Sequence, residues 1–336
     1  MKIANWNIEW MNRLFSPDSD TPALRAPEQV GGVTDVVALC ERIARVIDGL
    51  QADVLTIQEG PSRRSELALF VARFLNDRYE LIGPSGSGAQ KLYALVRKDG
   101  AADQAVRAFT TGAIRFDEDW MVDVDGDLTL APYGFTREPL MVDFTDAATG
   151  KPVRIISLHL KSKYVHNAER LWRNPATRPE FVREAMLARR RISAEAMRVR
   201  DYLDEVLADD PERRVVVCGD LNDGPGSDFF ERHYLTHNLV AVLAGNPFRP
   251  RVMLRHGFID RVNKEDNFTA VFDDFIDEVT ARPILLDHIL CSPGLYWDLT
   301  DGVVEHAVFN AQIDPDAPAD SRQHLPSDHR PQSISF

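Results

Sequence analysis

The stretch VVVCGDLNDGP, residues 215–225, limits what this chain can become more than any other. Apolar residues run straight into Gly219, Asp220, Leu221 and Asn222, and turn formers follow. A short apolar run bounded by turn residues reads as a strand buried on both faces. Such a strand holds its backbone rigidly, so a carboxylate and an amide at its C-terminal edge make a well-positioned polar site. The glycine allows close approach by another group. The pattern recurs. Apolar runs lead to Asn7 and Glu9, to Glu59, to His159 and to Asp287, and Asp328-His329 stands just before the last strand. One polar strand end means little, but solubility would scatter charges instead of placing them repeatedly at strand mouths. Converging ends would bring together Glu9, Glu59, Asp220, Asp287 and Asp328 with Asn7, Asn222, His159 and His329. So many carboxylates repel one another unless cations lie among them. Hard oxygen donors without suitably spaced cysteines favour Mg²⁺ or Mn²⁺ over zinc.

The remainder of the chain supplies a frame for such a site. Alternation over 2–10 reads as a strand, and 16–32 as a loop rich in Pro, Asp and Gly. Thr34 or Asp35 caps a helix to Leu50 with Val36, Leu39, Ile43, Val46 and Ile47 on one face. The run 53–57 reads as a buried strand. Ser62 caps a second helix with Leu67, Phe70, Val71 and Phe74 facing inward. Strands follow at 79–82, 92–97, 105–110, 140–144 and 153–158, with a hairpin over 120–130. The hairpin holds Asp123, Asp125 and Asp127, but its glycine and acids lack the offsets of a calcium loop. An apolar stripe from Phe181 to Leu207 predicts a long helix over 180–208; its arginine-rich other face reads as a solvated one paired with Glu184 and Glu195, with phosphate contact by one or two arginines as the alternative. Ser227 caps a short helix. Residues 240–283 show no clear period, and His256 reads as an ordinary surface histidine. No composition break divides the chain, so residues 1–336 read as a single α/β domain.

Charge and cysteines narrow the setting. A net charge of −13 gives no global attraction to nucleic acid or anionic membrane, and leaves phosphate binding to local cations and bound metal. Cys40, Cys218 and Cys291 show no pairing pattern, and buried thiols suit a reducing, cytoplasmic setting. The N-terminal MKIANWNIEW alternates like a strand and lacks the apolar core of a signal peptide, and no run reaches the length of a membrane span.

The blocks NWNIEW, IQEG, YGFTREP, ISLHLKS, GDLND, LLDHIL and PSDH, in this order from Asn7 to His329, resemble the signature of the endonuclease/exonuclease/phosphatase superfamily. The resemblance implies a four-layer α/β/β/α sandwich with two packed mixed β-sheets. It implies metal-dependent hydrolysis of a phosphoester by in-line water attack, with Mg²⁺ or Mn²⁺ as cofactor. Glu59 would be the principal metal ligand, with Asn7, Asp328 and Glu9 in support. Asp220 would position or activate the water, Asn222 would touch the phosphate, and Asp287 with His329 would stand beside the scissile bond. His159 stands where deoxyribonuclease-like members have a second catalytic histidine. Arg137 matches an arginine that touches substrate phosphate, and Lys161 and Lys163 could do the same. The paired histidines with Arg137 put a phosphoester of nucleic acid first as substrate. A small-molecule or lipid-headgroup phosphoester is the alternative, and a non-catalytic phosphate-binding module is an alternative of another class. His288 departs from the aromatic residue that many members carry after the aspartate.

Overall fold

The computed structural model of the chain describes every residue except 18–20, 87, 227 and 235–237. In chain order the strands are β1 (Lys2–Asn7), β2 (Val54–Gly60), β3 (Tyr79–Ser85), β4 (Lys91–Arg97), β5 (Ala102–Ala108), β6 (Trp120–Val122), β7 (Ala131–Tyr133), β8 (Leu140–Asp146), β9 (Pro152–His159), β10 (Arg214–Asp220), β11 (Arg255–His256), β12 (Ala270–Asp274), β13 (Val279–Ile284), β14 (Asp287–Cys291), β15 (Asp301–Val304) and β16 (Gln332–Ser335). Twelve of them form two six-stranded sheets, ordered β15-β16-β1-β2-β4-β3 and β11-β14-β10-β9-β8-β5. Each sheet is mixed in the same way: one central parallel pair, β1 with β2 or β10 with β9, is flanked by antiparallel neighbours.

Alternation along the strands builds three apolar layers. Val216 and Cys218 of β10, Val153 and Ile155 of β9, and Ile3 and Val54 of the other sheet fill the space between the sheets. Val215 and Val217 point the other way, against Ile192, Ala196, Val199 and Leu203 of the long helix α4 (Arg178–Asp209). Ala4, Trp6, Leu55 and Ile57 meet α1 (Val36–Leu50) and α2 (Arg64–Phe74) on the outer face of the first sheet. The result is the expected α/β/β/α sandwich. The predicted stripes of α1 and α4 are buried as read, and all three cysteines are buried and free.

Some elements differ from expectation, for identifiable reasons. The first strand ends at Asn7, because Trp10 turns the chain with a left-handed backbone at φ 47°. Asp35 caps α1 through the N–H of Ala38 at 2.9 Å. Ser62 does not cap α2; its hydroxyl donates to the Ala89 carbonyl, and Glu66 accepts from the N–H of Arg63 instead. The expected cap at Ser227 lies outside the described residues, and Asp228 accepts from the N–H groups of Phe230 and Glu231 at the head of α5 (Phe229–Tyr234), with α3 (Ala168–Arg173) earlier in the chain. The stretch 240–283 contains the end of α6 (Leu239–Ala244), the two-residue β11 and the hairpin β12–β13, which stands apart as its own two-stranded sheet and is largely exposed on both faces. Elements that short and that exposed leave no hydrophobic period to read.

The parallel pairs position the site. Parallel strands end at the same sheet edge, so Asn7 lies opposite Gln58, and His159 lies opposite Asp220. The antiparallel β14 begins at that edge, which sets Asp287 opposite Asp220. Gly219 makes this register possible. Its φ is +144°, and a Cβ there would lie 1.9 Å from the Leu158 carbonyl oxygen of β9. We predict that Gly219→Ala cannot be accommodated without separating β9 from β10. The expected cost is about 3 kcal/mol or more, from strain and overpacking together. Urea denaturation would measure it, and a stability within about 1 kcal/mol of wild type would contradict the close approach.

Candidate active site

The C-terminal edges of both sheets meet at one point. Glu59 is held with φ 57°, and the β2–β4 ladder shifts register between Ile57 and Gly60. This break turns the carboxylate out of the sheet, and its Oε2 accepts from the N–H of Trp10 at 2.8 Å. Asn222 also has a positive φ, 53°, which asparagine tolerates well. Its backbone N–H donates to Asp220 Oδ1 at 2.8 Å, and its side-chain amide donates to the Leu160 carbonyl at 3.1 Å. Asn7 Nδ2 donates to Asp220 Oδ2 at 3.0 Å, so the carboxylate of Asp220 is gripped from both sheets. His329 Nδ1 lies 2.7 Å from Asp287 Oδ2. His159 Nε2 sits 3.6 Å from Asp220 and 3.8 Å from Glu59, beyond hydrogen-bond range of either. Asp220, Asp287 and His329 form the one group of potential ligand residues that converges to within 4.8 Å among the described residues.

Burial sets the protonation states. It pushes the Asp220 carboxyl up to about 7, with Asp287 and Glu59 adding to the rise and His329 opposing it. Burial likewise raises Glu59. For His329, burial disfavours the charged ring, but Asp287, Asp220 and Asp328 outweigh it and hold the pKa well above normal. His159 goes the other way: burial, then repulsion from Arg137 and His329, keeps it neutral. The two histidines therefore offer different chemistry, one an imidazolium and one a neutral ring.

The residues fit a divalent cation. Asn7 Oδ1 and Asp328 Oδ1 are buried and have no hydrogen-bond partner. They are hard oxygen donors, and Glu59, electrostatically coupled to Asp328, completes a set that suits Mg²⁺ or Mn²⁺. A cation there would bring the raised carboxyls back down. The imidazolium of His329 makes the Asp220–Asp287–His329 group a poor seat for a cation of its own.

Other expected residues take different places. The resemblance implies Glu9 as a supporting metal ligand, but its Oε2 accepts from the N–H of Asp328 at 3.0 Å and pairs with Arg322 at 3.2 Å. Glu9 thus braces the Asp328 loop. The sequence points Lys163 at substrate phosphate, yet its ammonium lies 2.5 Å from Asp223, 3.4 Å from Asp228 and 3.5 Å from Glu231. Three acids already neutralise it, which leaves it little attraction for phosphate. Lys161 makes no ion pair among the described residues, and its side chain lines a cleft of about 360 Å³ with Tyr133, Asp125, Asp127 and Arg191. Arg137 donates to Gln90 Oε1 at 3.0 Å and toward the Leu160 carbonyl at 3.4 Å, and no acid pairs with it among the described residues.

Two groups were not legible. Glu195, read as a solvent-exposed partner of arginines, is buried. It accepts from the backbone N–H groups of Thr136 and Lys161 at 2.9 Å each, tying the Arg137 loop to the chain beyond His159. His256, read as a surface residue, accepts at Nδ1 from the N–H of Ile259 at 3.2 Å, and its Nε2 lies 3.0 Å from His288 Nδ1. His288 Nε2 reaches the Asp223 carbonyl at 2.8 Å. Each ring has one donating and one accepting nitrogen, so both are neutral, and burial lowers both pKa values. Only the placement of Glu195 on the apolar side of the helix stripe hints at its burial.

Two substitutions test this geometry. Asp287→Asn keeps the size of the side chain but removes the charge that holds His329 protonated. It should lower kcat on bis-p-nitrophenyl phosphate by about 10²- to 10⁴-fold while the protein melts cooperatively, and an unchanged rate would remove the pair from the chemistry. Glu195→Ala leaves two buried N–H groups without an acceptor. It should cost about 2–5 kcal/mol by urea denaturation, where an exposed glutamate would cost almost nothing.

Residues 5–329 match the Endonuclease/Exonuclease/phosphatase family. No curated protein sequence matches the chain. Among solved structures, truncated TDP2 of Caenorhabditis elegans is 13% identical with a TM-score of 0.50, over 99% of this chain and 95% of that one. A mannosyl-6-phosphatase of Bacteroides thetaiotaomicron is 14% identical with a TM-score of 0.52, over 100% of this chain and 98% of that one. D. rerio TDP2 complexed with single strand DNA product is 13% identical with a TM-score of 0.50, over 99% and 97%. Identities this low establish likeness of fold alone. The family match spans nearly the whole chain, and with the two-sheet sandwich it identifies the protein as a member of the Endonuclease/Exonuclease/phosphatase family of phosphoester hydrolases.

Proposed function

We propose that the protein is a Mg²⁺- or Mn²⁺-dependent nuclease that cleaves a phosphodiester by in-line attack of water. The observation that carries this reading is the pair of unlike histidines around Asp220: charged His329 beside Asp287, and neutral His159. A phosphodiester presents both a poor leaving oxygen and non-bridging oxygens that gain charge as water attacks. An imidazolium can protonate the first, and a neutral ring N–H can bind the second.

The chain's own groups divide the work as follows. Asp220, gripped by Asn7 and the Asn222 N–H, orients the water and takes its proton. Burial raises this carboxyl and a cation bound beside it lowers it again, which keeps Asp220 ionised to accept a proton at neutral pH. His329, kept charged by Asp287, hydrogen-bonds the phosphoryl group and delivers a proton to the leaving oxygen. His159, the free amide hydrogen of Asn222 and the Arg137 guanidinium, which no acid neutralises among the described residues, hold the non-bridging oxygens. Glu59, Asn7 and Asp328 would hold the cation, which when bound offsets the charge of the phosphate and its transition state. The likeness to a TDP2 structure holding single strand DNA product supports the nucleic-acid reading, whereas the likeness to a mannosyl-6-phosphatase favours a sugar phosphate.

A substrate panel with Mg²⁺ and Mn²⁺ decides between them. It compares single- and double-stranded DNA, RNA, a hexose 6-phosphate, phosphoinositides and sphingomyelin. Nucleic acid should be cleaved, with activity lost in EDTA, restored by Mn²⁺, and reduced at least about 100-fold in Asp220→Asn. Preference for the sugar phosphate or a lipid headgroup would overturn the nuclease assignment. Full activity in Asp220→Asn would overturn the mechanism.

A further inference from the structure

Trp10 stands at the rim of the expected metal seat. Its backbone N–H bonds to the Glu59 carboxylate, so its side chain leaves the chain within a few ångströms of that group. Its left-handed backbone is one that bulky residues rarely adopt. Burial does not compensate, because the residue is 41% exposed. Among the described residues no hydrogen bond holds the indole N–H. Strained backbone retained without a packing reason is typical of functional positions.

The neighbour of the indole is a cation without an acid. The Arg13 guanidinium lies 3.8 Å from the centre of the Trp10 ring. Although the chain carries 52 acidic side chains against 39 basic ones, Arg13 makes no ion pair and no side-chain hydrogen bond with any described residue. The arrangement is thus an exposed aromatic plane with a guanidinium held beside it, on a residue whose backbone N–H holds the Glu59 carboxylate. A planar ring joined to a phosphate is the ligand chemistry that complements them.

We propose that Trp10 and Arg13 form a nucleoside subsite on the Glu59 side of the scissile phosphate. The indole stacks on the flanking base, and Arg13 binds the next phosphate along the strand. This assignment rests on the nuclease reading above and adds to it which side chains hold the substrate outside the reacting phosphate. Insertion of Trp10 into a lipid surface is disfavoured, because Arg13 covers one face of the ring and the chain as a whole is acidic.

The test compares wild type with Trp10→Leu, Trp10→Phe and Arg13→Gln in Mn²⁺, on a short single-stranded oligodeoxynucleotide and on bis-p-nitrophenyl phosphate. The ratio of kcat/KM for the oligonucleotide to that for the small ester should fall about tenfold or more in Trp10→Leu and Arg13→Gln, mainly through KM. Trp10→Phe should recover most of the loss. Arg13→Gln should also reduce the salt dependence of KM by about one contact. In EDTA, wild type should quench an oligonucleotide carrying 2-aminopurine more strongly than Trp10→Leu does. Thermal melting confirms that each variant is folded. Ratios within about twofold of wild type for both Trp10→Leu and Arg13→Gln overturn the subsite. So does Trp10-dependent binding to phosphatidylcholine–sphingomyelin vesicles with no change in the ratio. If wild type leaves oligonucleotides intact but hydrolyses another phosphoester, the nuclease reading itself has failed, and wild type alone reveals it.

Discussion

Directly beneath the site, the two sheets are joined by buried hydrogen bonds. Gln58 Nε2 donates to Asn5 Oδ1 at 2.8 Å within the first sheet and to Ser157 Oγ of the second at 3.0 Å. The Thr56 hydroxyl donates to Asn5 Oδ1 at 2.8 Å and lies 3.3 Å from Cys218 Sγ across the interface. Asn5 in turn donates to Gln332 Oε1 at 3.1 Å. Apolar faces can slide past one another at small cost, whereas a hydrogen-bonded layer has one register. Asn7 to Asp220 is the outermost rung of this ladder. The relative placement of Glu59, from one sheet, and of His159 and Asp220, from the other, therefore depends on polar groups that never touch substrate.

The same burial that makes those bonds directional makes the site electrostatically strained. Asp220, Glu59 and Glu9 are all driven upward by loss of water, and their mutual repulsion adds to the effect. His329 relieves part of it by staying charged between Asp287 and Asp220. A divalent cation and a substrate phosphate bring matching charges of both signs, so the site is most comfortable when both are bound. This is the electrostatic pattern expected of a preorganised catalyst, where fixed charges await a developing one.

Much of this was legible because strand ends are legible. Apolar runs of four to eight residues that stop at a polar residue mark both the strand and the side chain it delivers. Asn7, Glu59, His159 and Asp220 were each found that way, and the structure brings them to a common edge; Asp287, read as the end of such a run, instead opens β14 at that edge. Roles that depend on who reaches whom across the fold were not legible. Glu9 follows the first strand and Asp328 lies in the loop before the last, and nothing local says that one braces the other. Lys163 lies four residues after His159, but its acids come from 60 and more residues downstream. Glu195 falls between two arginine-rich turns, so a surface pairing was the natural expectation. The buried layer of Asn5, Thr56 and Gln58 was hidden inside ordinary strand patterns, since a two-residue period shows which face a side chain takes and not what it meets there.

The long helix α4 turns those tertiary contacts into a fixed wall beside the site. Arg189 on α4 pairs with Asp228, and the ammonium of Lys163 bridges Asp228 to Asp223, the residue that follows Asn222. Asp223 also accepts from the N–H of Leu239 at 2.8 Å, and its carbonyl anchors His288. Six residues along the helix from Arg189, Glu195 holds both Thr136 and Lys161. Three loops around the site are thus bound to one helix, two of them by charges that are largely withdrawn from water. Such contacts resist the hinge motion a closing lid would need. Substrate choice then rests on the shape and charge of a surface already in place, with Lys161 and Arg137 on the α4 side and the Trp10–Arg13 pair on the other.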